Sequence, residues 1–113
     1  MPSPDVVRLR HMREAATTAL EMSSGHGRSD LSDPMLAMAL TRCLEILGEA
    51  AARLGADTRE RFPGIPVARM IAMRNRLIHA YFDVDLDIVW TTVAEDLPAL
   101  LPVLNKALAE VDV

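Results

Sequence analysis

The chain has 113 residues, half of them apolar and only 4 % aromatic, with a formal net charge of −4 and an isoelectric point near 5.3. That length suits one domain, residues 1–113, able to bury a core without staples, and a Leu-, Ala- and Met-rich composition favours helices over sheets. The acidic balance excludes general adhesion to a polyanion, which needs a clustered basic surface, so any nucleic-acid contact has to be local.

From Asp5 to about Met22, the residues Leu9, Met12, Ala16, Ala19 and Leu20 recur at helical spacing, while Arg8, Arg10, Arg13 and Glu14 fall mostly off that stripe. The spacing predicts a one-sided amphipathic helix. No apolar stretch of a signal peptide precedes it, and no run reaches the roughly 20 residues needed to span a bilayer. A cytoplasmic protein without membrane contact is the expectation. The following SSGHGRSDLSD has two glycines, four serines and no periodicity, which predicts a loop and the most mobile part of the chain.

Asp33 before Pro34 marks a helix start, since the carboxylate accepts orphan backbone N–H groups and proline at the first helical position loses nothing. The helix should run to Leu54, with Gly55 as its stop. Its main stripe is Leu36, Leu40, Cys43, Leu44, Leu47, Ala51 and Leu54; Met35, Met38, Ala39, Ile46 and Ala50 widen the apolar surface beyond one face. Such a helix is either central or shared with a partner chain. The lone Cys43 cannot make an intrachain disulfide and is expected to be a buried, inert thiol in a reducing compartment. Gly48 within the helix costs about 1 kcal/mol relative to alanine, so another helix is expected to cross closely there.

Asp57 with Glu60 three residues on resembles a capping box and predicts a short helical turn before Phe62. The PGIP of Pro63–Pro66 breaks the chain, and the next helix starts near Pro66. Beyond it, Leu86–Ala94 and Leu97–Val111 form a last helical region. Pro98 there predicts a fresh start or kink, and Asp83 or Asp85 is expected to cap it. The sum is an all-α bundle of four to five helices.

The fourth helix carries RNRLIHAYFDVD at Arg74–Asp85. Val67, Met70, Ile71, Leu77 and Ile78 make its apolar stripe. Arg74 lies on that same line, where an apolar residue is called for, and Tyr81 lies two turns further along it. Ala72, Asn75, Arg76 and His79 line up on the neighbouring face. Arg74 and His79, five apart, point about 140° from each other on a regular helix. They converge on one site only through arginine's long reach, a local irregularity, or a second copy of the helix across a dyad. A purely structural account pairs Arg74 with Glu45 or Glu49 and leaves His79 satisfied near the helix end. A functional account uses histidine for proton exchange near neutral pH, arginine's fork for phosphate oxygens and asparagine to fix either. No cofactor or metal is implied: His11, His26 and Cys43 have no ligand-spaced partners, and no phosphate-binding loop or nucleophile elbow occurs.

Taken in order, CLEILGEAA at Cys43–Ala51, RFPGIP at Arg61–Pro66, MRNRLIHAYFDVD at Met73–Asp85, then DIVW and DLPALL, resemble the HepT-like family of small HEPN-domain proteins over roughly Leu40–Leu104. The family usually has tryptophan where this chain has Val67, and often glycine at Ala72 and Ala80; these are packing positions. The resemblance implies an all-helical ribonuclease toxin paired with a minimal nucleotidyltransferase antitoxin of the MntA type. The family motif R-x4-H-x-Y falls on Arg74, His79 and Tyr81. It further implies a homodimer, or a larger assembly with the antitoxin, in which two motifs face one cleft. Metal-independent RNA cleavage would use His79 as general acid or base and Arg74 on the developing charge. Asn75 and Arg76 would position the substrate. Tyr81 would accept AMP from the antitoxin and so block RNA. Two other readings of the same residues stand beside it: a non-catalytic helical partner of the nucleotidyltransferase, and a bundle that simply binds a nucleotide.

Overall fold

A computed structural model describes residues 3–79 and 85–111. Helix α1 spans Pro4–Ser23, opened by Ser3, whose Oγ accepts the Val6 N–H at 3.2 Å with Pro4 in the first turn. Its stripe of Val6, Leu9, Met12, Ala15, Ala16 and Ala19 is buried. Helix α2, Pro34–Ala52, starts as its Asp-Pro pair predicts: Asp33 Oδ1 accepts the Met35 N–H at 3.0 Å. Leu40, Leu44, Leu47 and Ala51 are inaccessible to solvent, and Cys43 is buried with its thiol pushed up by desolvation. The burial expected there is what the structure contains.

The segment between α1 and α2, expected as loop, holds a 3₁₀ turn at Arg28–Ser32. Leu31 enters the core from it, and Asp30 holds the turn by accepting the Gly27 N–H at 2.8 Å and facing His26 Nδ1 at 3.2 Å. Arg28 Nε reaches Asp87 at 2.8 Å, tying the turn to the C-terminal region.

Two expected caps take other forms. Helix α2 ends at Ala52, and Gly55 has an ordinary φ of −71° that needs no glycine. The carbonyls at the end of α2 are satisfied by arginine side chains: Arg59 donates to Leu54 O at 2.9 Å and Ala52 O at 3.2 Å, and Arg8 to Arg53 O at 2.7 Å. A left-handed glycine is therefore unnecessary. Helix α3, Ala56–Arg61, begins at Gly55, so Asp57 lies inside its first turn and forms no capping box. Asp5 of α1 does that work across 50 residues, accepting the Gly55 N–H at 3.2 Å and the Thr58 hydroxyl at 2.5 Å.

Helix α4 spans Val67–His79. Helix α5, Leu86–Thr91, is capped by Asp85, whose Oδ1 accepts the N–H groups of Asp87 and Ile88 at 3.1 Å each. It runs without a break through a π-turn at Thr92–Asp96 into α6, Leu97–Val111. The kink expected from Pro98 is expressed as that wider turn, which takes up the proline's missing N–H and crowded ring. All-α architecture follows, with five helical units among the described residues once α5, the π-turn and α6 are read as one. The apolar faces of α1, α2, α4 and the α5–α6 unit meet in a single core cluster, to which α3 adds no buried residue. No helix among the described residues is long and apolar enough to cross a membrane.

Candidate functional site

The site is placed by one crossing. Gly48 of α2 lies against α4 so closely that a Cβ there would fall inside the Arg74 Cβ and stand 2.8 Å from Arg74 Cγ and 2.9 Å from the Met70 carbonyl oxygen. The close approach expected at Gly48 is thus made by α4, and the residue seated over the glycine is Arg74. Buried Val67, Met70, Met73 and Leu77 fix the rotation of α4. Two residues of the expected stripe fall elsewhere: Ile71 is half-buried, and Ile78 is 43 % exposed, while Met73 takes the inner position.

Arg74 is half-buried, with Nη1 donating to Asn75 Oδ1 at 2.9 Å. Its Nε is buried and without a partner. The arginine forms no ion pair among the described residues: Glu45, one expected partner, instead faces Arg42 at 3.4 Å, and Glu49 lies in a cleft against α1 with Arg8, His11 and Arg53. Buried donors left unpaired are rare, which makes the Arg74 Nε an exception among the described residues.

The helix is regular from Val67 to His79, so no irregularity brings positions 74 and 79 together. The Asn75 hydrogen bond turns the guanidinium toward the face on which positions 75 and 79 stand one turn apart. Position 79 is the last residue of α4. Arg76 is exposed, with Nη2 at 3.4 Å from Asp85 Oδ2, the carboxylate that caps α5. Tyr81 lies outside the described residues.

One feature of the neighbourhood was not read from the sequence. Arg69, Ala72 and Arg76 follow each other at spacings of three and four and border a cleft against α5 and the π-turn. That spacing was visible; the wall opposite was not.

The family model of HepT-like ribonucleases matches residues 12–107. A Thermococcus cleftensis protein named "Probable ribonuclease HepT" is 46 % identical over 70 residues, 62 % of this chain and 64 % of the relative. Two proteins provisionally named RNases are 36 % identical: one from Methanocaldococcus jannaschii over 88 residues, 77 % of this chain and 81 % of the relative, and one from Caldanaerobacter subterraneus subsp. tengcongensis over 93 residues, 81 % and 83 %. No solved structure matches at a significant level. With most of its length covered by the family model and by these relatives, and with the motif helix set against α2 as described, the chain belongs to the HepT-like ribonuclease family.

Proposed function

We propose that the chain is an endoribonuclease that cleaves RNA without a metal ion and acts as the toxin of a toxin–antitoxin pair. The observation that carries the reading is Arg74: a half-buried arginine on the inner side of α4, unpaired with any carboxylate among the described residues, with a buried Nε that lacks an acceptor. A phosphate oxygen is the acceptor that a guanidinium fork fits best. RNA carries its own nucleophile. With His79 as base, the 2′-hydroxyl loses its proton and attacks the adjacent phosphorus. The 5′-oxygen then leaves with a proton returned by an acid, giving a cyclic phosphate and a free 5′-hydroxyl. Arg74 stabilises the charge that builds on the phosphoryl oxygens, and Asn75 holds the guanidinium in place. Arg76 adds a phosphate contact at the edge.

The motif ends at Tyr81, the residue proposed to accept AMP from a minimal nucleotidyltransferase antitoxin. A bulky anion there would occupy the phosphate position and exclude RNA. Two chains pairing across a dyad would set two motifs into one cleft. Met35 and Met38, 80 % and 71 % exposed on α2, support a shared apolar face.

Inducible expression of the parent and of H79A tests the toxin role, with RNA cleavage by the purified chains in excess chelator testing the chemistry. The parent should arrest growth and cut RNA; H79A should do neither. Equal toxicity of the two would sink the mechanism. A parent that cuts no RNA but binds the nucleotidyltransferase would instead be its non-catalytic partner. Light scattering on the purified chain reports the dimer.

A further inference from the structure

A cleft of about 350 Å³ runs between α4 and the segment formed by α5 and the π-turn. That size falls in the range of small-ligand sites, about 300–1,000 Å³. Its floor and walls are the apolar side chains of Ala72, Met73 and Ile88, with Thr91 and Thr92 on the far side. Arg69 and Arg76 stand at its two ends, seven residues apart on α4, or roughly 10 Å along the helix axis. An apolar slot between two guanidinium groups suits a flat, partly apolar ring with a phosphate on either side. That is the chemistry of one nucleotide in a single strand.

Each arginine is held by a carboxylate of the opposite wall. Arg69 Nη2 meets both oxygens of Asp96, at 2.9 and 3.2 Å, and Arg76 meets Asp85 at 3.4 Å. The arginine side chains are 65 % and 68 % exposed, so these pairs are weak and readily exchanged for a phosphate. The remaining acid in the cleft, Asp87, is engaged by Arg28 at 2.8 Å. Position 79, to which the cleavage reading assigns proton transfer, lies one turn beyond Arg76 and on the same line of α4 as Ala72. A π-turn forms part of its wall, a feature that recurs at functional sites.

We infer that this cleft is a nucleotide subsite for the RNA strand, holding the base next to the scissile phosphate, with Arg69 as a positioning residue. The inference rests on the ribonuclease reading. The test is binding of a short fluorescein-labelled single-stranded RNA to the H79A chain, followed by anisotropy, beside KM and kcat for the cleaving chains. A72W fills the slot from an exposed position and should weaken binding about ten-fold, raising KM rather than lowering kcat. R69Q should weaken binding several-fold. D96N, which removes the competing carboxylate, should tighten it. A structural ion pair would make R69Q and D96N behave alike, so their divergence distinguishes the roles, and it does so even if A72W fails to fold. RNA that is bound and cut with A72W and R69Q within two-fold of their parents, or D96N weakening binding as R69Q does, overturns the subsite alone. A parent chain that neither binds nor cuts RNA overturns the ribonuclease reading, and the subsite with it.

Discussion

Gly48 and Arg74 share one crossing point: the absent side chain of the first is the space that the Cβ and Cγ of the second occupy. A helix interior does not favour glycine, and the loss of about 1 kcal/mol relative to alanine is what the close approach of α4 offsets. The same contact fixes the depth at which the guanidinium sits.

G48A therefore makes two opposing changes. Helix propensity improves by about 1 kcal/mol. Against it, the new methyl meets the start of the Arg74 side chain and, at 2.9 Å, the Met70 carbonyl, which is backbone and cannot swing aside. Overpacking of this kind costs about 1–3 kcal/mol, so the steric effect should win and the melting temperature should fall by several degrees. Cleavage should suffer more than stability, since a displacement of about 1 Å at a catalytic group can cost on the order of a hundred-fold. Thermal unfolding and initial rates below the transition would show both. An unchanged melting temperature would mean that α4 can slide away without penalty.

Replacing Arg74 by lysine separates charge from shape. Lysine retains the positive charge but loses the planar fork and the donor to Asn75 Oδ1. If the guanidinium contacts the reacting phosphoryl group, R74K should lower kcat by about a hundred-fold or more, with little change in melting temperature. A rate within a few-fold of the parent would reduce Arg74 to a packing residue.

The two sequence cues at this site, a glycine in a good helix and an arginine on an apolar stripe, were each legible because each breaks a local pattern. Their meeting was not, because periodicity gives no crossing angle. The same limit explains the caps. Asp57 and Glu60 have the spacing of a capping box, yet α3 is anchored by Asp5, a residue 50 positions away that no local window contains. Leu31 lies in a stretch without periodicity and is buried as a single anchor of one short turn. Ile78 has the spacing of the expected stripe but lies seven residues from half-buried Ile71, on the flank that the rotation set by Val67, Met70, Met73 and Leu77 turns away from the core. The cleft bounded by Arg69 and Arg76 needed the position of α5 and its π-turn, which only the folded chain supplies.

Cys43 offers a probe of opening. Burial in α2 raises its pKa, which keeps it as the unreactive thiol, and its position in the core blocks reagents. A maleimide should label the native chain at least about a hundred-fold more slowly than a free cysteine and at full rate in denaturant, so that native labelling follows local opening around α2. Rapid labelling without denaturant would show that α2 is accessible in the folded state.

Asp5 supplies the clearest dependence on pH. The Thr58 hydroxyl, chiefly, holds its carboxyl below the usual 3.8; burial, the next largest effect, opposes it, and the Gly55 N–H and the Arg8 guanidinium add to the lowering. A carboxyl whose pKa is lower in the folded than in the unfolded chain binds more protons unfolded, so its contribution is complete above about 3.8 and is lost as pH falls through the lower, folded value. Hydrogen bonds to a charged acceptor of this kind are worth about 1.5–3 kcal/mol, less for a group still partly in contact with water. D5N should lower the melting temperature by a near-constant amount between pH 5 and 8, a window above the usual carboxylate range. Below about pH 3.8, where the parent progressively loses the charged form, the two curves should converge. Parallel curves down to the lowest pH would mean that the join of α1 to α3 depends on the shape of the side chain and not on its charge.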